Sequence, residues 1–313
     1  MCIRDSTIED AIEEAVNIGK EANLPVEISH FKVSARKLWG SSKHTVQLIE
    51  RYRQQGLDVT VDQYPYTASS TTLAVLLPTW SLAGGTDSLD ARLKVDSIKQ
   101  RIVAEMKASL KRDGETDYTY CAIARCPSDQ SYNGKRISEV TELRTGNRSL
   151  DNQIETVLDL VRQGERVQMV FHKMEEEDVA RIMQAPFTMI ASDAGIPQFG
   201  YSVPHPRAYG TNTRVLGRYV REKQLLPLED AIRKMTSLPA SRFQLHERGL
   251  IKQNYKADLV IFDPDTVTDL ATFEQPHAYP RGIHTVIVNG EITVSEGVHL
   301  GVRAGVVLDH QLR

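Results

Sequence analysis

The chain has 313 residues, enough for one large or two modest domains, with 41% hydrophobic and 25% charged residues, an ordinary balance for a globular protein. A formal net charge of −3, spread without basic or acidic blocks, argues against nucleic acid or a membrane surface as partner, and the apolar runs are too short to span a bilayer. Three cysteines, Cys2, Cys121 and Cys126, make no disulfide framework and no zinc finger, so we expect ordinary thiols in a reducing, cytoplasmic compartment.

The opening stretch, Met1 to Ser6, reads as a false start, because helical rhythm is already established by Ile8. Ile8, Ala11, Ile12, Ala15 and Ile18 mark one apolar face, and Gly19 with Asn23-Leu24-Pro25 closes the helix. Val26 to Lys32 reads as a strand ending in polar groups. A second helix is expected over His44 to Arg53, then a strand over Leu57 to Asp62 with a polar exit loop, Gln63 to Thr71. This alternation of helix and strand is the pattern of parallel-sheet units.

The rhythm breaks between about residues 72 and 164. Loop-like stretches, a charged helix over Asp90 to Arg112, a strand over Tyr118 to Arg125 and a helix over Leu150 to Val161 suggest an insertion after a sheet strand. Alternation is expected to resume with a strand at Arg166 to His172, a helix at Met174 to Met183 and a buried strand at Phe187 to Ala191. That last strand ends on Ser192-Asp193, and a Gly/Pro-rich loop follows, carrying His205-Pro206-Arg207. Helices are expected over Thr211 to Glu222 and Pro227 to Met235, with a short one from Ser237. From Gly249 the texture turns to strands at Leu250-Ile251 and Asp258 to Asp263, then a hairpin over Thr285 to Val294 on an Asn-Gly turn. The expected division is therefore 1–248, part of a parallel α/β barrel with an insertion at about 72–164, and 249–313, part of a small β-sandwich.

Four strand ends present polar groups: His30 and Lys32, Asp62 and Tyr64, His172, and Asp193. In a parallel barrel such ends share the face that carries the chemistry. Each residue alone has an ordinary explanation as a satisfied core histidine, a helix cap or a solvated charge. Together, imidazoles and a carboxylate suit zinc, which accepts nitrogen and oxygen donors and keeps a position open for water. A carboxylate beside it can take a proton from water and return it to a leaving amine.

Ile28-Ser29-His30-Phe31-Lys32-Val33, the run Asp62 to Thr71, and Ser192-Asp193 through His205-Pro206-Arg207-Ala208-Tyr209-Gly210-Thr211 resemble the N-acyl-D-amino-acid deacylases of the amidohydrolase superfamily. Lys234 to Ala240 and Lys256 to Pro264 extend the resemblance through the tail. It implies a metal-dependent (β/α)8 barrel that hydrolyses N-acyl-D-amino acids with zinc, one or two ions. By the same resemblance His30 is a metal ligand and Asp193 both touches the metal and serves as general base, then acid. Lys32, Tyr64 and Arg207 are implied to hold the substrate's free carboxylate, a role for which a guanidinium fork with an ammonium and a phenol is well suited. No family position transfers to His172.

The resemblance also sets an expectation of absence. The family's first-strand His-x-His pair, its bridging cysteine and its fifth-strand histidine have no counterpart here, and Arg4-Asp5 reads as the last trace of a His-x-Arg motif with Cys2 in the histidine's place. The chain is therefore expected to be the C-terminal portion of a longer enzyme, inactive alone because its barrel is unclosed. Other readings are a dipeptidase cutting before a C-terminal D-residue, a dihydroorotase-like cyclic amidase, or a non-catalytic half-barrel that serves as an interaction module.

Overall fold

The computed structural model describes residues 8–164 and 166–308. Cys2 and the Arg4-Asp5 pair lie outside these residues. Helix α1 (Ile8–Ala22) turns through Leu24 into β1 (Val26–Ile28), and α2 (Ser42–Gln54) leads into β2 (Val59–Gln63). After a long excursion, α7 (Glu176–Gln184) leads into β6 (Thr188–Ile190). The three strands form a parallel sheet in the order β1-β2-β6, with Val26 opposite Val59 and Val61 opposite Thr188.

Alternation along β2 explains what each face does. Val59 and Val61 are fully buried against Ile12 and Val16 of α1, Val46 and Ile49 of α2, and Ile182 of α7. Thr60 and Asp62 point the other way, where the Thr60 hydroxyl donates to the Glu27 carboxylate from β1. Apolar side chains thus dock the helices on one face, and polar ones gather on the other.

The excursion is wider than its sequence suggests. It contains β3 (Ser69–Thr72), α3 (Gly85–Leu93), α4 (Asp96–Asp113), β4 (Cys121–Arg125), α5 (Ile137–Thr145), α6 (Leu150–Arg162) and β5 (Gln168–Phe171). Strand β5 lies between β3 and β4 and pairs antiparallel with both, Ser69 opposite Phe171 and Cys121 opposite Phe171. The stem of the excursion is therefore the β3–β5 pair, outside the expected limits of 72 and 164. The strand expected to resume the parallel alternation at 166–172 belongs instead to this second sheet. A short apolar run does not encode whether its partner is parallel or antiparallel. The single helix expected over 90–112 is two, separated at Lys94-Val95, and α5 was not anticipated.

Helix α8 (Arg207–Arg214) runs on as a π-helical stretch, Val215–Glu222, whose Gly217 abuts the Val267 carbonyl oxygen. Helices α9 (Leu228–Met235) and α10 (Ser237–Arg242) follow. Lys234 of α9 is fully buried and donates to the carbonyl oxygens of Ala185, at 2.5 Å, and Thr188, at 3.3 Å, tying α9 to the turn between α7 and β6. The C-terminal part is a four-stranded antiparallel sheet, β10-β9-β8-β7, made of β7 (Leu259–Phe262), β8 (Ile283–Val288), β9 (Glu291–Ser295) and β10 (Val298–His299). The Asn-Gly hairpin forms as expected, with positive φ at Asn289 (50°) and Gly290 (86°). Leu250-Ile251, expected as a strand, is irregular.

Candidate active site

The C-terminal ends of β1, β2 and β6 carry the residues that matter. His30 follows β1 in a turn at φ 46°, and Asp193 follows β6 at φ 48°. Both are non-glycine residues in the left-handed region, a conformation of modest cost that recurs at functional sites and here re-aims each side chain at its strand end. The His30 turn is held by Asp62 at the end of β2, whose carboxylate accepts the His30 backbone N–H at 2.7 Å. Asp62 therefore positions His30 from the neighbouring strand.

Lys32 folds back over the same turn. Its Nζ donates to the His30 carbonyl oxygen at 2.6 Å, lies 3.1 Å from His30 Nδ1, and sits 5.8 Å from the centre of the Tyr64 ring. Burial, helped by the Lys32 charge, pushes the His30 imidazole below its usual pKa. Both disfavour its charged form, and a neutral imidazole is the form in which histidine ligates a metal. Asp193 is near enough for its charge to act on both His30 and Tyr64.

Arg207 completes the cluster. It was expected on a loop, but the structure places it at the first position of α8, because Pro206 cannot donate and His205 captures the Arg207 backbone N–H at 3.0 Å. The guanidinium lies over the Tyr64 ring at 4.5 Å and contacts the Asp193 carboxylate at 2.8 Å. The Arg207 side chain is 7% exposed and that of Asp193 38%. The pair is a close ion contact in a largely buried setting. A buried guanidinium needs an anionic partner, which Asp193 supplies here. Burial, opposed in part by Arg207, raises the Tyr64 phenol well above its normal pKa and keeps it a proton donor.

Of the residues picked out from the sequence, His30, Lys32, Tyr64, Asp193 and Arg207 converge. His172 does not join them, since β5 is not part of the parallel sheet. Its ring packs on Phe273 at 4.7 Å, and burial with the nearby Arg136 charge pushes its pKa to about 4. His205, noted in the sequence as part of the His205-Pro206-Arg207 run but given no role, lies beside Arg207 in this cluster.

The chain belongs to the Amidohydrolase family, whose pattern it matches over residues 3–294. It is 38% identical over 298 residues to a D-aminoacylase of Alcaligenes xylosoxydans xylosoxydans, covering 95% of this chain and 51% of that protein. A crystal structure of D-aminoacylase superposes with a TM-score of 0.74 at 36% identity, covering 97% of this chain and 53% of that one. N-acyl-D-glutamate deacylase from Bordetella bronchiseptica, solved with zinc and a phosphonate mimic of the tetrahedral intermediate, gives a TM-score of 0.70 at 32% identity, covering 91% of this chain and 50% of that one. This chain thus spans about half the length of the relatives it matches. Its parallel sheet with helices on one face is barrel-type α/β architecture.

His30 and Asp193 are chemically suited to zinc, as a neutral imidazole and a partly exposed carboxylate. Among the described residues no group of three or more His, Cys, Asp or Glu side chains is placed to hold a metal ion. Cys121 and Cys126 are buried free thiols. No helix among the described residues is long and apolar enough to cross a membrane.

Proposed function

We propose that the chain carries the carboxylate-recognition and proton-transfer elements of a zinc-dependent hydrolase that cleaves N-acyl-D-amino acids to a carboxylate and a D-amino acid. The observation that carries this reading is the buried Arg207 guanidinium held over Tyr64 and against Asp193 at the strand ends. A substrate carboxylate replaces Asp193 on the guanidinium, whose fork suits its two oxygens. Lys32 adds positive charge from the β1 side, and the Tyr64 phenol remains protonated to donate.

His30 and Asp193 would contribute to holding the zinc ion, which when bound polarises the acyl carbonyl and makes water more acidic. Asp193 takes one proton from the attacking water as the new carbon–oxygen bond forms. It then delivers that proton to the amide nitrogen as the carbon–nitrogen bond breaks, so that the D-amino acid leaves as a neutral amine. Arg207 turns from Asp193 to the substrate carboxylate, which frees the Asp193 oxygens for this work. The N-acyl-D-glutamate on which the Bordetella bronchiseptica relative acts carries a free α-carboxylate, in agreement with such a clamp.

The test is kinetic, in the polypeptide encoded by the intact reading frame that contains this chain, loaded with zinc. Asp193→Asn is expected to lower kcat on N-acetyl-D-leucine by about 10²–10⁴-fold. Arg207→Ala is expected to lower kcat/KM by about 10²-fold or more. Wild-type turnover in the Asp193 variant defeats the reading.

A further inference from the structure

We propose that His205 is a positioning residue that sets the carboxylate clamp, an inference that rests on the clamp reading of Arg207. His205 is 4% exposed and uses both ring nitrogens on backbone groups. Nδ1 accepts the Arg207 N–H at 3.0 Å, and Nε2 lies 2.9 Å from the Ala68 carbonyl oxygen. A backbone N–H can only donate and a carbonyl can only accept. The ring is therefore the neutral tautomer with its proton on Nε2. Burial and the Arg207 charge disfavour the charged form in the same direction, pushing its pKa to about 3.

These two bonds join parts of the chain far apart in sequence. One fixes the first turn of α8, from which the Arg207 side chain springs. The other fixes Ala68, on the segment that leads from Tyr64 and Tyr66 into β3 and the excursion. The ring itself packs edge-on against Tyr66 at 5.1 Å and Phe273 at 5.0 Å, and stands 6.0 Å from Tyr64. His205 thus sets the spacing between the guanidinium and the phenol. It also ties that spacing to the root of the antiparallel sheet. A shift of α8 by even a fraction of an ångström would misplace a bidentate fork.

The imidazole's contributions separate by substitution. His205→Phe keeps an aromatic ring and loses both hydrogen bonds. His205→Asn places an acceptor where Nδ1 lies and keeps the bond to Arg207. His205→Gln keeps a donor toward Ala68 and loses the Arg207 bond. The readout is the preference for N-acetyl-D-leucine over N-acetyl-D-leucinamide, measured by calorimetric titration of the polypeptide of the intact reading frame. A purely structural loss weakens both ligands alike, whereas a displaced clamp weakens only the acid.

Arg207→Ala should abolish the preference. If it does not, or if the wild type has none, the clamp reading itself fails, whatever the His205 variants do. Given that control, His205→Phe should lower the preference about tenfold with amide binding changed less than about twofold, and His205→Asn should stay within about threefold of wild type. An unchanged preference in His205→Phe overturns the inference, as does equal weakening of acid and amide. Should His205→Phe not fold, the ordering decides: His205→Asn must retain more preference than His205→Gln, and the reverse order overturns the proposal.

Discussion

The two sheets before the C-terminal part handle their polar groups in opposite ways. The antiparallel sheet β3-β5-β4 builds a closed core of its own, in which Cys121, Ile123, Met169 and Phe171 meet Ile102 and Met106 of α4, Ile137 and Val140 of α5, and Ile154 and Val157 of α6. Its charged side chains stand outside in ion pairs such as Lys99–Glu155 and Arg144–Asp159. The parallel sheet is apolar mainly toward its helices. Its other face carries Glu27, Thr60 and Asp62 beside Met189, with the Thr60 hydroxyl donating to Glu27. The first sheet is built for stability and the second sacrifices some of it to hold polar groups together, as functional surfaces do.

The largest expected effect lies in the closed core. Ile123→Ala should cost about 2–5 kcal/mol through lost burial and the cavity left behind. Hydrogen exchange should show protection falling first at 121–125 and 168–171, with 59–63 retained. Simultaneous loss in both sheets would show that the two regions form one cooperative unit and would break the comparison.

The polar face should reveal itself through pH. Burial raises the Glu27 carboxyl from its ordinary 4.5 to about 7, with Thr60 and Arg242 opposing the rise. Between those two values the folded chain holds a proton that the unfolded chain has released. Stability therefore falls as pH rises from about 4.5 to 7 and levels off above it. Glu27→Gln should remove this slope and stabilise the protein by on the order of 1–3 kcal/mol at pH 8, with little change at pH 4. Thermal melts at the two pH values check it, and an equal shift at both defeats the assignment.

Gly217→Ala tests the seam between the π-helical stretch and the C-terminal part. An added Cβ would meet the Val267 carbonyl oxygen at 2.7 Å. The expected cost is about 1–3 kcal/mol in a denaturant melt, despite the better helix propensity of alanine. The smallest effect should come from Lys99→Ala on the excursion surface, under about 0.5 kcal/mol. A larger loss in the same melt would mean that surface charge, and not the apolar core, supports that sheet.

Much of the candidate cluster was legible in the sequence. Asp193 and Arg207 lie within one short stretch, and His30, Lys32 and Tyr64 follow strands whose apolar periodicity is plain. What escaped was partner choice. The run from Arg166 to His172 has the composition of a buried strand in either kind of sheet, so His172 was grouped with a face it does not share. Helix α5 escaped because its apolar face is weak. The role of His205 was not legible because a histidine in a Gly/Pro-rich loop carries no periodicity, and its two bonds reach backbone atoms that any residue would supply.

The sequence by itself did not determine α5, β3 or the break between α3 and α4, but it determined the helices and strands of the parallel sheet, the Asn-Gly hairpin and the chemical types gathered at strand ends. These follow from local rules of periodicity, turn stereochemistry and side-chain chemistry. Only the tertiary structure decided that β5 lies between β3 and β4, that Arg207 begins a helix, and that His205 joins Arg207 to Ala68. Strand pairing and backbone capture depend on which distant segments meet, and that is settled by the packing of the whole chain.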